Sequence, residues 1–450
     1  MMSFVRKRGS RPSSLRGWSL LLLAAALTAC STVAPPVPAT MPVVTTSAQA
    51  TTDVTAEPVQ DDHAGQADNA AEATPARTIV LATTERDAGL RLVQSVAATF
   101  GAATGWTIQV TPKDPQELRI DMDTAALAGQ MPDLLWTHGQ QIGALAANER
   151  LRPVGDLVQL SDYTPAAVAG ANANGIQWGV PIASGDCLVL FRNRRWMPEP
   201  PATTDALLAL SKPEGVEVLL AADQLSPAWL AAWLAGFDGT APVSQTQTRL
   251  NPRAIVSTLF FLKELRDRQI IPADMDAGSA AEAFRSGRAA MLVASAWSLA
   301  TLTSPDGAAA DLDVGITALP AVAASGHPPR PSTSGAYLLV SASASGEEVE
   351  VARQLARFLA SPEIQARVAS DLRRLPATNA ALQDERITSD PHMHAVLASL
   401  SGAVPLSTDG IPQALEASIP IVAATLNGEK SPEAAAEEIQ TAAEANPPTP

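Results

Sequence analysis

From Thr78 onward the apolar residues fall into short runs with two alternating rhythms. Thr78-Ile79-Val80-Leu81-Ala82 is a β-rich run, and Leu90, Val93, Val96, Ala97 and Phe100 follow at helical spacing. Gly101 to Gly105 breaks that pattern. Trp106 to Val110 reads as a second strand, Ala125 to Ala128 as part of a helix, and Met131 to Trp136 as a turn into a third strand. Ile142 to Leu145 then starts another helix. This β-α-β-α-β succession predicts a mostly parallel sheet with helices on its faces. Ligands on such sheets bind beyond the carboxyl ends of the strands, so 83–87 and 136–141 are the first places to look. No GxGxxG or GxxxxGK[ST] follows any of these strands, so nothing supports a nucleotide site.

The pattern before Thr78 is different. Arg6, Lys7, Arg8, Arg11 and Arg16 precede an apolar run from Trp18 to Ala26, with no acid among residues 1–29. The run is shorter than the ~20 residues a membrane-spanning helix needs, and it ends in Leu27-Thr28-Ala29-Cys30. A basic head, a short apolar stretch and small residues before a cut site read as an export signal over 1–29. Leu-Thr-Ala-Cys resembles the bacterial lipobox, which implies a lipid on Cys30. The bland alternative is a core helix with a chance cysteine. Residues 30–77 are rich in Thr, Ala, Pro and Val without periodicity, which predicts a disordered tether with a reach of roughly 40 Å. Residues 441–450 read as a disordered tail.

Composition narrows the function. The 450 residues carry a formal charge of −15, which excludes a chain that grips nucleic acid by bulk electrostatics. Loss of residues 1–29 would remove five cations and no acid, making the body still more acidic. Two cysteines exclude a disulfide scaffold and a Cys-built zinc site. With Cys30 lipidated, Cys187 is a single small core residue. Of the five histidines, His392-Met393-His394 is the nearest thing to a metal pair, but neither a nearby Cys nor an HExxH motif supports it, and it reads as surface coil. No metal or other cofactor is expected. No GxSxG elbow is present, and carboxylates in an acidic chain cannot be placed across a glycosidic bond by spacing alone. Glu347, Glu348 and Glu350 read as the start of a helix, where acids suit the positive dipole end.

Five segments, in order, resemble the bacterial extracellular solute-binding proteins of the maltose-binding type. They are Pro132-Asp133-Leu134-Leu135-Trp136 with Leu151 to Val154; Gly175 to Ile182 leading into Leu188 to Asn193, with Pro200-Pro201-Ala202-Thr203; Ala283 to Met291, then Trp297; Val314 to Pro320; and Ser334 to Tyr337 with the helix Ala352 to Leu359 and Ser361-Pro362-Glu363. Thr204-Asp205 stands where the family usually has a tryptophan, and the family's aromatic richness is missing.

The resemblance implies an α/β, two-lobed periplasmic-binding-protein fold (type II, Venus-flytrap) with a hinge between the lobes. Lobe 1 would take 78–183 plus about 320–370, and lobe 2 would take 188–316 plus about 371–440. The hinge would lie near Ser184 to Cys187 and Thr317 to Thr333. It also implies a monomeric, lipid-anchored protein on the outer face of the cell membrane that delivers a solute, expected to be a sugar, to ABC permease subunits, with no nucleic acid partner and no enzymatic activity. The rival readings are a transport-deficient sensor or cell-envelope interaction module, and a secreted lipoprotein glycosidase.

Candidate cleft residues follow. Trp136, Thr137, His138, Gln140 and Gln141 come after the third strand, where the family places ligand contacts; helix capping and a solvated loop are the alternative. Asp186 stands at the presumed crossover, where a family carboxylate accepts from solute hydroxyls, or else in a plain hinge turn. Trp297 matches a family tryptophan that stacks on sugar, the alternative being core packing. Trp229 and Trp233 lie four apart on one helical face, and either Trp229 reaches the cleft or both are core. Ser334 and Tyr337 lie where the chain crosses back. Glu85 and Asp87, with Arg86 between them, follow the first strand, where charged residues are often only solvated.

Overall fold

The computed structural model describes residues 77–240, 250–304, 308–309, 311–406 and 413–445. The export signal, Cys30, nearly all of the tether and the last five residues lie outside them. In chain order the strands are β1 Thr78–Thr83, β2 Thr107–Pro112, β3 Leu134–His138, β4 Asn172–Ala173, β5 Ile176–Gln177, β6 Gly179–Asp186, β7 Leu188–Asn193, β8 Val218–Ala221, β9 Ala289–Ser295, β10 Val314–Thr317, β11 Ser332–Val340, β12 Leu375–Pro376 and β13 Val404–Pro405.

The alternation along β1 decides the first lobe. Ile79 and Leu81 point to one face of the sheet, together with Leu134 and Trp136 of β3 and Leu338 and Val340 of β11. The helices Asp87–Thr104, Gly346–Leu359 and Pro362–Leu372 supply the cover on that face. Ala82, Leu135, Tyr337 and Leu339 point the other way, against Leu118, Met122, Ile142 and Leu145. Both faces are therefore dry, which is why these strands read as nearly continuous apolar runs.

Strand order is β12-β6-β11-β3-β1-β2, with β13 beside β11. β1 runs parallel to β2 and β3, as the repeating pattern predicts, but β11 runs antiparallel to both β3 and β6. The expectation of a mostly parallel sheet fails there because β11 enters from the second lobe and not through a helical crossover. In the helix Asp87–Thr104 the buried stripe is Gly89, Leu92, Val93, Val96, Ala97 and Phe100, with Leu92 and not Leu90 opening the leucine contacts.

The second sheet has the order β10-β7-β9-β8. Leu190 of β7 faces Trp229, Trp233 and the helices Pro252–Asp267, Gln413–Leu426 and Pro432–Ala445. Val189 and Phe191 face the opposite cluster, with Phe284, Met393 and Val396. Two expectations are corrected here. Residues 441–445, read as tail, finish the helix Pro432–Ala445, since Thr-Ala-Ala-Glu-Ala is a helix-favouring sequence. His392-Met393-His394 is not coil but lies in the helix Pro391–Ser399, with Met393 buried and His392 in contact with Arg373 and the Val314 carbonyl. The acids at 347 and 348 do start a helix, where Ser345 and Glu348 form a capping box.

The lobes meet through the backbone. β6 ends at Asp186 and β7 begins at Leu188, leaving Cys187 alone between them. The chain returns through 318–331 into β11, stays with the first sheet as far as β12, and then sends residues 379–399 under the second sheet. Gln365 secures this route. It is fully buried; its amide nitrogen donates to the carbonyls of Ile182 (3.1 Å) and Leu359 (2.9 Å), and its amide oxygen accepts from the Ala377 N–H (2.8 Å). Gln365→Leu keeps most of the volume but strands these three backbone groups. The expected cost is about 3 kcal/mol of stability, measured as a lower urea midpoint with an unchanged slope; an unchanged midpoint would contradict this role.

Candidate functional site

Four constraints shape the turn that follows β1. Thr83 Oγ1 donates to the Trp136 carbonyl at 3.0 Å and accepts from the Glu85 N–H at 3.2 Å. The Thr84 and Thr137 hydroxyls are 2.9 Å apart. Asp87 opens the next helix with φ of 47°, in the left-handed region that a side chain rarely adopts. Gly89 is required because a Cβ there would lie 2.2 Å from Glu85 Oε2. Together they turn the Glu85 side chain inward, where it is only 3% exposed.

A buried carboxylate needs a partner, and Arg374 provides it. Nη1 and Nη2 reach Oε1 and Oε2 at 2.5 and 3.0 Å, a two-pronged pair. His138 Nε2 lies 3.6 Å from Oε1. Burial alone would raise the Glu85 pKa; His138 and then Arg374 outweigh it and hold the carboxyl at about 2.

The same guanidinium lies over the indole of Trp297, with Cζ 4.0 Å from the ring centroid. His138 stands nearly perpendicular to that indole, with centroids 5.2 Å apart. Trp297 belongs to the second lobe, just past β9, yet its Nε1–H donates to the Ser184 carbonyl of β6 at 3.2 Å. Its backbone N–H donates to Ser295 Oγ (3.1 Å), and the Ser295 hydroxyl donates to the Asp186 carboxylate.

These groups form one wall of a cleft of about 680 Å³. The first lobe lines it with 84–89, 114–117, His138, Leu372 and Arg374, and the second with Trp297, Ala300 and Thr301. The volume suits a small organic molecule. Its charges are mostly matched: Arg86 pairs with Asp114 at 2.6 Å and Arg374 with Glu85, while Asp87 and Glu117 have no ion-pair partner among the described residues. Among those residues no group of three His, Cys, Asp or Glu is arranged to hold a metal.

The model of the bacterial extracellular solute-binding protein family matches residues 95–395, two-thirds of the chain. The chain is a bacterial extracellular solute-binding protein. No curated protein sequence matches it. Among solved structures, this solute-binding protein is similar to the maltose/maltodextrin-binding domain MalE of Bdellovibrio bacteriovorus bound to maltotriose (23% identity, TM-score 0.70, covering 82% of this chain and 99% of that one). It is also similar to the GacH receptor of Streptomyces glaucescens (21%, TM-score 0.72, 82% and 98%) and the maltotriose-binding protein of Thermus thermophilus (20%, TM-score 0.67, 82% and 99%). At these identities the likeness establishes the two-lobed α/β fold.

Of the residues singled out by sequence, Glu85, Asp87, His138 and Trp297 line the cleft. Thr137 is buried beneath it on Thr84. Gln141 Nε2 donates to the Pro115 carbonyl (3.0 Å), supporting the 114–117 loop, while Gln140 is exposed and not part of the lining. Asp186 holds Ser295 at the crossover, opposite Ser334, whose enclosed hydroxyl has no hydrogen-bond partner among the described residues.

Three aromatic candidates sit in cores and do not line the cleft. Trp136 shares with Leu134 the sheet face that packs on the helices Asp87–Thr104, Gly346–Leu359 and Pro362–Leu372. Tyr337 is fully buried and donates its hydroxyl to the Ala167 carbonyl at 3.1 Å. Trp229 packs edge-on against Trp233, with centroids 5.4 Å apart, inside the second lobe.

Sequence reasoning missed Arg374, the 114–117 loop, Ala300 and Thr301. Arg373 and Arg374 look alike in sequence. Yet the left-handed φ of 52° at Arg373 turns the chain, so that Arg373 meets Asp390 while Arg374 meets Glu85.

The Glu85 carboxyl lies below its ordinary value of 4.5. Its contribution to stability is therefore fully present above pH 4.5 and fades as pH falls toward 2. The expected loss over that window is about 3 kcal/mol. Glu85→Gln should lower stability at pH 7, by leaving Arg374 without its counter-charge, and should flatten the decline between pH 5 and 2. Urea unfolding at a series of pH values measures both, and equal acid sensitivity in the two proteins would count against the pairing.

Proposed function

We propose that this chain captures a sugar or oligosaccharide in the cleft between its lobes and delivers it to the permease subunits of an ABC importer. The observation that carries the reading is the cleft itself. It opens at the carboxyl ends of β1 and β3, and both lobes line it. A solute there lies between 84–87, His138 and Arg374 of one lobe and Ala300 and Thr301 of the other. A ligand that bridges two bodies favours the arrangement that brings them together. The bending positions would be 184–187 and 317–333. Support for a sugar comes from the fold relatives, two of which were solved with maltotriose bound.

In the same reading the protein works as a monomer outside the cytoplasmic membrane, held by a lipid on Cys30 and a tether over 30–77. An anchored protein of this kind keeps its solute close to the permease, and its acidic composition limits adhesion to an anionic membrane surface.

Two measurements test the proposal. At a sugar concentration one hundred times Kd, binding adds about 2.7 kcal/mol and should raise the unfolding midpoint by about 3 °C. A thermal-shift panel of mono- to tetrasaccharides should contain such a sugar, and a flat response across the panel would remove the carbohydrate assignment. Mass spectrometry of membrane-extracted protein should find an N-terminal, lipid-modified Cys30; an unmodified cysteine there would remove the anchor.

A further inference from the structure

In a sugar-binding cleft an exposed tryptophan is the natural platform for the apolar face of a pyranose ring. Here the geometry around Trp297 argues against that role. The Arg374 guanidinium already lies on the indole at 4.0 Å, at stacking distance. The indole N–H is also committed, to the Ser184 carbonyl.

Arg374, by contrast, has donors to spare. A guanidinium carries five N–H groups. Two of them meet Glu85, and among the described residues no other acceptor is bonded to the side chain. The side chain is 14% exposed and lines the cleft. It is also fixed twice over, in its plane by Glu85 and on its face by Trp297. A donor set held rigid before binding loses little entropy when a ligand arrives.

We propose that Arg374 is the specificity-determining residue of the cleft: its free N–H groups donate to the solute's oxygens, and Trp297 is the platform for Arg374 and not for the sugar. The inference rests on the reading that the cleft takes a sugar, and it sharpens the class. Glu85 cancels the charge of Arg374, Asp114 cancels that of Arg86, and Asp87 and Glu117 leave the lining acidic. An anionic solute therefore gains nothing from this arginine. A neutral solute with neighbouring hydroxyl oxygens does, and it needs no broad apolar face. The site is fitted to short neutral sugars.

The test is calorimetric titration of the full chain with glucose, maltose, maltotriose and glucuronate, alongside variants whose folding is checked by thermal unfolding. Arg374→Lys keeps the charge opposite Glu85 but loses the planar fork. It should weaken binding of the neutral sugars at least tenfold. Trp297→Leu should weaken it less, and the double variant should bind no worse than Arg374→Lys alone, because the indole acts only through the arginine. Glucuronate should bind more weakly than glucose.

Unchanged affinity in Arg374→Lys would overturn the assignment, as would tighter sugar binding in Arg374→Ala, which uncovers the indole. So would glucuronate binding more tightly than glucose. A wild-type chain that binds none of the neutral sugars would overturn the sugar reading itself and this inference with it, whereas the other adverse results leave that reading standing.

Discussion

The geometry of the cleft depends on a strand that barely stops between two sheets. β6 is flanked by β12 and β11 in the first sheet, and β7 by β10 and β9 in the second. One residue, Cys187, separates them. The junction is dry: burial, and then the neighbouring Asp186, push the Cys187 thiol up to about 12, so at neutral pH it is an inert packing group. Gly185 beside it has φ of 84°, and a Cβ there would approach the Leu375 side chain to 2.9 Å. Because the crossing strand is this tight, Ser184 can accept from the indole of a residue more than a hundred positions away. The indole of the second lobe is thus placed against the arginine of the first by backbone geometry.

Given that placement, the cluster of Glu85, Arg374, Trp297 and His138 is an arrangement in which each part makes the next tolerable. A carboxylate taken out of water costs several kcal/mol unless a counter-charge with good geometry offsets it. Arg374 supplies the charge in two-pronged form, the indole face covers the guanidinium, and the crossover holds the indole. The strained backbone at Asp87 and the bare Cα of Gly89 belong to the same arrangement, since both are needed for the turn that carries Glu85 inward. Removing Glu85 or Arg374 alone therefore leaves the other's charge unmatched, which is worse than losing the pair.

This explains what the sequence could and could not reveal. Short β-rich apolar runs marked β1 and β3, and the rule that ligands gather at strand ends pointed to 83–87 and 136–141; both stretches contribute cleft residues. The same rule could not say how far along β3 the core extends, and so it grouped Trp136, which is buried beside Leu134 inside the strand, with His138, which lines the site from the strand's last position. Arg374 was beyond its reach for another reason. It comes from a helix end far along the chain and meets Glu85 across 289 positions, with no periodicity or motif to announce it. The antiparallel entry of β11 was hidden likewise, because strand direction depends on where the chain goes in the other lobe.

Charge then acts on two length scales, and they work together. The chain as a whole is acidic, at −15, which repels anions at distances where screening still permits it. Within the cleft, pairing has cancelled both arginines of the lining. A cation that is already neutralised contributes hydrogen-bond direction without net attraction, so it discriminates by the placement of oxygens and not by their charge. An unpaired arginine in the same position would hold phosphates and carboxylates in preference to hydroxyls. On the proposed reading, the buried glutamate beneath it thus does more than offset a charge: it fits the cleft to neutral, oxygen-rich molecules.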